Sequence, residues 1–511
     1  DRLQLAQALQ PTETLPTFRW SGFDYNDPAA VPRIMRKNLK NLGFALNVRQ
    51  CGHNHKPRIA QFNRFRHFVQ DEILTQWVPE FFIHRNDLTM EEHINCYSGT
   101  KKAAYQRAWD RYQIDWYMDF KYEAMQKSNE QQYVDAVKPR FLFNPSPSVK
   151  VVGTYINRYY LEMVRNYCVD DSICVGYNTG QTAERMIAKF KEVPDAVPVT
   201  WDGSNHDGHQ YACLIEAVDS YLFNNTMDFI YPHLVSLPVG VKNDVMKMVT
   251  DLNAKFFMSI KRGKSFCRVM TGTIKGTTYS GHPTRTTLGN SMRVYFYAKY
   301  VLYRAKITTA KFLVAGDDVI MFMSRKDVPR FQQAFWEVYI DGNTVEPKDY
   351  KVHGLGQVAK DFKIHDKGTI DFLAKYGIVY HDMILYNRRI ERALISGNFC
   401  HKITKHFTIE NYNFGQTMSL LSYGRNWPII KHYIEARLHT IQHEMPSSRW
   451  AKELFEELFV NDYSKKMGVG SYEYPEEYLP AFDLMYNPHI KAVCEENVFA
   501  APAFFEDLYH I

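Results

Sequence analysis

The chain has 511 residues, of which 45% are apolar, so it is too long for one ordinary core and carries no Ser/Gly/Pro-rich stretch of the kind that makes a flexible linker. A formal net charge of +6 admits a nucleic-acid partner without establishing one, and the 15% aromatic share suits base stacking and a plain core equally. Eight scattered cysteines with no Cys-x-x-Cys pair argue against a disulfide scaffold and for free thiols in a reducing compartment.

The first residues, Asp1-Arg2-Leu3-Gln4, do not form a secretory signal, and no apolar run reaches the roughly 18 residues that a membrane span needs. A start at Asp1 rather than Met suggests a processed product or a piece of a longer polyprotein. Cys51-x-His53-x-His55 invites a zinc reading, but alternate residues of a strand suit few tetrahedral sites and no second ligand pair is evident. From Lys101 to about Lys127 the pattern predicts a helix. Lys138 to Val152, with Pro139, Pro145 and Pro147 among apolar residues, predicts a strand and then a loop.

Val197 to Trp201 predicts a short buried strand that ends in the polar turn Asp202-Gly203-Ser204-Asn205, followed by a helix from about Gly208 to Phe223. Residues 255–279 predict paired strands with a turn at 261–264, and Thr286 to Arg304 a long helix with an apolar face. Phe312 to Ala315 and Val319 to Phe322 flank Gly316-Asp317-Asp318, which predicts a tight hairpin with acidic residues at its tip. The chain after about 390, including Ser448 to Leu458, reads as mostly helical.

Two of these segments, Asp202-x4-Asp207 and Asp317-Asp318, put carboxylates at the ends of buried strands. Several carboxylates in one place repel unless a cation neutralises them, and hard oxygen donors suit Mg²⁺. Two such metals can activate an attacking hydroxyl and stabilise a leaving pyrophosphate. Each half alone is also what an ordinary surface turn looks like. Between them Ser280-Gly281 makes a turn that lets backbone approach a ligand. Thr286 and Asn290, four apart, share a helical face where they can bond a ribose hydroxyl, or else form a capped, polar first turn.

In this order the three segments resemble motifs A, B and C of viral RNA-dependent RNA polymerases: Trp201-Asp202 to His209, Ser280 to Asn290, and Ala315 to Asp318. The Ser-Gly pair lies one residue further from Thr286 than in the commonest form of motif B. Tyr97-Ser98-Gly99-Thr100-Lys101 to Tyr105 is similar to a motif G segment of tombusvirus-like polymerases, Lys138-Pro139-Arg140 to the start of motif F, Gln357 to Lys360 to motif D, and Asp371-Phe372-Leu373 to motif E. The similarity covers roughly residues 90 to 380 and points to the tombusvirus-like and nodavirus-like group of positive-strand RNA viruses.

The resemblance implies an α+β right hand with an antiparallel palm sheet and a helical thumb. Residues 1–85 would form an N-terminal extension reaching the fingertips, 86–195 fingers, 196–222 palm, 223–279 a fingers insertion, 280–385 palm and 386–511 thumb. It implies an RNA-directed RNA polymerase that extends an RNA 3′ end from ribonucleoside triphosphates with two Mg²⁺ ions, Mn²⁺ serving as a substitute. Asp202, Asp317 and Asp318 would be the metal ligands and, with Lys360 as the acid for leaving pyrophosphate, the catalytic residues; Lys363 competes for that acid role. Asp207 and Asn290 would read the ribose 2′-hydroxyl, with Thr286 in support, while Lys138 and Arg140 would hold the triphosphate, with Lys150 and Arg158 as weaker candidates. Ser98, Gly99, Lys101, Ser280 and Gly281 would guide the template, and Phe372 and Leu373 would pack behind the primer end. Partners would be RNA template, nascent strand, nucleotides and other viral replication proteins. The setting would be host cytoplasm, at membrane-associated replication complexes reached through a missing segment or a partner. A reverse transcriptase, a non-catalytic RNA-binding replication protein and a metallohydrolase stay open as rivals. Ala315-Gly316 before the Asp pair, where reverse transcriptases usually carry an aromatic residue, favours RNA synthesis on RNA.

Overall fold

The computed structural model describes residues 39–46, 57–127, 139–177, 179–262, 265–346, 354–365, 369–380 and 383–388, with short strands at 13–14, 18–19, 33–35, 131–132 and 399–400. Lys138, the Cys51/His53/His55 group and the expected helices beyond 400 lie outside the described residues.

The described part mixes helices with sheets. Helix α1 (Ile59–Glu72) runs on through a π-turn at Ile73–Trp77 into Val78–Ile83, and α2 spans Gly99–Asp115. The helix expected to reach Lys127 therefore stops early. Trp116 turns left-handed, and Lys121–Gln126 forms strand β1 with alternating burial instead. Strand β2 is Phe141–Asn144. The loop expected to Val152 is also corrected: α3 (Pro147–Met163) begins at once, because Ser146 caps the Val149 N–H and Pro147 has the φ of a first helical residue.

Next come α4 (Thr179–Lys191) and strand β3 (Ala196–Gly203), which carries Asp202 inside the strand rather than in the expected turn. A 3₁₀ turn at His206–His209 follows. The helix expected from Gly208 starts only at Ala212 and continues through a π-turn at Glu216–Ser220 into α5 (Tyr221–Ile230). After α6 (Lys242–Thr250), strands β4 (Asn253–Arg262) and β5 (Ser265–Lys275) pair as expected. A π-turn at Arg285–Gly289 leads into α7 (Asn290–Ala305), so Asn290 opens the α-helix and Thr286 precedes it. Strands β6 (Lys311–Ala315) and β7 (Asp318–Ser324) form the hairpin, followed by α8 (Val328–Val338), β8 (Tyr339–Asp341), β9 (Gln357–Ile364), β10 (Thr369–Phe372), β11 (Lys375–Tyr380) and β12 (Met383–Arg388).

The central sheet has the order β6-β7-β3-β9-β8, antiparallel except for the edge pair β9/β8. Its side chains alternate between two cores, as the two-residue period of a strand requires. Val199, Trp201, Val319 and Met321 enter the larger core, where Trp201 packs edge-on against Phe335 of α8 at 5.0 Å. Ile320, Phe322 and Leu313 enter the smaller core with Phe372, Ile384 and Tyr386. Asp202 and Asp318 fall on the smaller-core side by the same alternation. A second sheet, in the order β2-β1-β4-β5, has its own core of Phe143, Phe256, Met258 and Tyr279. No helix among the described residues is long and apolar enough to cross a membrane.

Candidate functional site

Strand pairing brings the two acidic segments together. Val319 stands opposite Trp201 in the last pair of the antiparallel ladder, so Asp318 and Asp202 stand one residue beyond it on their two strands. Ala315 pairs with Asp318, which leaves Gly316 and Asp317 as the tip of the hairpin. Gly316 has φ +67°, a conformation that glycine adopts without Cβ strain, and its N–H donates to Ser291 Oγ of α7 at 3.1 Å. The tip is thus tied to the helix that also carries Asn290.

The charges interact. Desolvation, and after it the Asp317 and Asp361 charges, push the Asp202 carboxyl up to about 6. Asp207, in the 3₁₀ turn, is also pushed up to about 6, by burial first and by Asp317 second, with Asn290, Arg140 and Arg293 acting the other way. In both, burial and a neighbouring carboxylate outweigh the positive charges nearby. Hard oxygen donors in that condition fit a divalent cation. Among the described residues, however, no group of three or more His, Cys, Asp or Glu side chains is gathered as a ready metal cage. Mg²⁺ commonly makes do with one or two carboxylates and completes its shell with water and phosphate oxygens. The donor set fits that mode of binding.

Asp207 and Asn290 meet across the site, the Asn290 Nδ2 donating to Asp207 Oδ1 at 3.4 Å. Thr286 takes no part in that contact: its hydroxyl donates to the His282 carbonyl at 2.6 Å. Thr278 serves instead, donating to Asn290 Oδ1 at 2.8 Å. Behind them lies wholly buried Arg293, which pairs with Asp219 and bonds Gln210, Thr278 and Asn290. Of this group only Asn290 stands out in the sequence; Arg293, Asp219, Gln210 and Thr278 do not. One signal was available: a lone Arg amid Met292, Val294, Tyr295 and Phe296 can sit in such a stretch only if its charge is matched. His206, also missed, is buried against Gln210, and burial presses its pKa down to about 4.

Lys360 lies opposite Asp202 in the β9/β3 ladder, whereas Lys363, opposite Thr200, reaches Asp371 at 3.8 Å. A bulge lies between the two lysines, where Asp361 has φ +53°. Ser280 and Gly281 lie against β2. The Ser280 carbonyl accepts from the Phe143 N–H at 2.8 Å, and a Cβ on Gly281 would come within 2.2 Å of the Phe143 oxygen. Arg140 immediately precedes β2 and its charge reaches Asp207.

Ser98, Gly99 and Lys101 stand at the start of α2, with Lys101 over the Tyr97 ring at 4.8 Å. The Lys101 charge, second to desolvation, lowers the Lys150 pKa. Arg158 is bound to Glu162 at 3.0 Å and to the Glu92 carbonyl, a structural use. Phe372 is plain core, and Leu373 packs against the same cluster. No family model matches the chain, and no curated protein matches it in sequence.

Proposed function

We propose that the protein is an RNA-directed RNA polymerase of a positive-strand RNA virus, a nucleotidyltransferase built as a right hand. The observation that carries this reading is the convergence of groups from three separate segments. Asp202 at the end of β3, the Asp317-Asp318 hairpin tip, Asp207 in the following turn and Asn290 at the head of α7 meet at one end of one sheet. A surface turn requires no such meeting, and a metallohydrolase does not require the Asp207–Asn290 pair. In this reading the central sheet belongs to the palm, the β2-β1-β4-β5 sheet to the fingers, and the residues after 386 to the thumb.

Asp202, Asp317 and Asp318 hold divalent cations, Mg²⁺ or Mn²⁺, which when bound neutralise the crowded charge and activate the attacking hydroxyl. The primer 3′-hydroxyl gives up its proton to solvent, its oxygen attacks the α-phosphate, the bond from the α-phosphorus to the bridging oxygen breaks and pyrophosphate leaves. Arg140, with Lys138, binds the triphosphate of the incoming nucleotide. Lys360, beside Asp202, gives its proton to the departing pyrophosphate. A ribose 2′-hydroxyl donates to the Asp207 carboxylate and accepts from the Asn290 amide, and a 2′-hydrogen can do neither. Ser280 and Gly281, with Ser98, Gly99 and Lys101, line the path of the template. Other viral replication proteins, at membrane-associated complexes in the host cytoplasm, complete the setting.

The test is incorporation of labelled ribonucleotides on a primed RNA template with Mg²⁺, beside the double variant Asp317→Ala/Asp318→Ala. Template-dependent product from the wild type alone supports the reading. Equal product from both proteins, or none from the wild type, counts against it.

A further inference from the structure

We propose that Arg293 and Thr278 are positioning residues that fix the direction of the Asn290 amide and so set the preference for ribose over deoxyribose. The proposal rests on the polymerase reading and deepens it.

A guanidinium donates hydrogen bonds and accepts none. Arg293 Nη2 donates to Asn290 Oδ1 at 2.6 Å and to Thr278 Oγ1 at 2.9 Å. With its oxygen accepting there, Thr278 sends its single hydrogen to Asn290 Oδ1 at 2.8 Å. Two donors on the amide oxygen hold it in place, and Nδ2 must point the other way, toward Asp207. Remove them and the amide can turn over, presenting an oxygen to a carboxylate and no donor to a 2′-hydroxyl.

A second relay leaves the same guanidinium. Its Nε donates to Gln210 Oε1 at 2.9 Å, which directs Gln210 Nε2 to Gln357 Oε1 at 2.8 Å. Gln357 Nε2 then donates to the His209 carbonyl at 2.8 Å, in the turn that holds Asp207. The first relay therefore ends at Asn290 and the second at the turn that carries Asp207. Asp219 supplies the counter-charge that lets the cation stay buried, and Gly289 leaves it space: a Cβ there would lie 2.5 Å from Asp219 Oδ2.

The measurement is the ratio of kcat/KM for a ribonucleotide to that for its 2′-deoxy analogue, in primer extension by wild type, Thr278→Val and Arg293→Lys. Thr278→Val keeps the shape and the Arg293–Asp219 pair while removing one donor, and Arg293→Lys keeps the charge while losing the fork. The expected result is a fall in the ratio of about tenfold for Thr278→Val and more for Arg293→Lys, the scale of one or two lost hydrogen bonds. An unchanged ratio in folded Thr278→Val overturns the proposal, and so does an equal loss on both nucleotides, which is what a merely structural role gives. If Arg293→Lys does not fold, Thr278→Val decides alone. A wild type that extends no primer overturns the polymerase reading and this proposal with it. Normal extension with an undisturbed ratio in Thr278→Val overturns this proposal only.

Discussion

Asp207 and Asn290 face each other at 3.4 Å, one from the turn after β3 and the other from the first residue of α7. The contact favours the ionised carboxylate, but burial and the Asp317 charge outweigh it and raise Asp207 from its ordinary 3.8 to about 6. The sign of the pH dependence follows. Well below 3.8 Asp207 is protonated folded or unfolded. Between 3.8 and about 6 the folded state alone keeps its proton, so stability falls as pH rises, and above about 6 the penalty is complete. His206 works in the opposite sense: pressed from 6.5 to about 4, it costs stability as pH falls through that window. Asp207→Asn removes the first effect and leaves the second. The variant should melt above wild type at pH 7.5, and that advantage should be markedly smaller at pH 4.5, vanishing only well below 3.8. Thermal melts at the two pH values check it, and an advantage independent of pH would refute it.

Asp317 raises both Asp202 and Asp207, so it is costly to the apo fold. Asp317→Asn should abolish RNA synthesis and yet raise the melting temperature without divalent ions by about 1 °C, the size expected for roughly 1 kcal/mol in a chain of 511 residues. Millimolar Mg²⁺ should stabilise wild type more than the variant, because a ligand that binds only the folded state adds stability in proportion to its affinity. Melting curves with and without Mg²⁺ report both effects. A variant that melts lower than wild type in EDTA would show that the crowding is already relieved in the protein.

The two lysines of β9 should separate. Lys360 shares a rung with Asp202, while Lys363 is engaged by Asp371 in a half-exposed pair worth about 0–1 kcal/mol. Lys360→Ala should lower kcat about a hundredfold or more, the usual scale for a proton donor, with KM little changed. Lys363→Ala should leave kcat within about twofold, since no transferred proton depends on it. Single-turnover rates for the two variants decide the assignment, and the reverse ranking would move the role to Lys363.

The strands that hold the carboxylates were legible because the apolar pattern and the acidic ends coincide: 197–201, 312–315 and 319–322 all lie within observed strands. The end of α2 was less so. Trp116 and Tyr117 continue a helical pattern in composition, and only the left-handed turn at Trp116 breaks it. The start of α3 was hidden by Pro147, which reads as a breaker unless Ser146 is recognised as its cap. Asn290 and its partner Asp207 are legible as candidates, with Thr286 expected in support by helical spacing. The π-turn at 285–289 alters that spacing, and the supporting hydroxyl is instead that of Thr278, from the far side of the Ser280 turn. Arg293, Asp219 and Gln210 are distant in sequence, and tertiary packing alone brings them together.

Glycines around the site give a graded prediction. Gly99 has φ +54° with open space about it, so Gly99→Ala should cost only the left-handed penalty of about 1 kcal/mol. Gly281 has φ +112° and a carbonyl oxygen 2.2 Å from where a Cβ would go, so Gly281→Ala must move either the 280–283 turn or β2, at about 3 kcal/mol or more. Gly289 has helical backbone but no room beside Asp219 and Arg293, so Gly289→Ala should strain or part that buried pair, at about 3–5 kcal/mol. Urea titrations should therefore order the variants Gly99, then Gly281 and Gly289. Only Gly289→Ala should also lower the ribose-to-deoxyribose ratio, because it alone displaces the guanidinium that holds Asn290. Equal losses at Gly99 and Gly281 would mean that the 280–283 turn is not pressed against β2, and that Gly281 owes its place to φ alone.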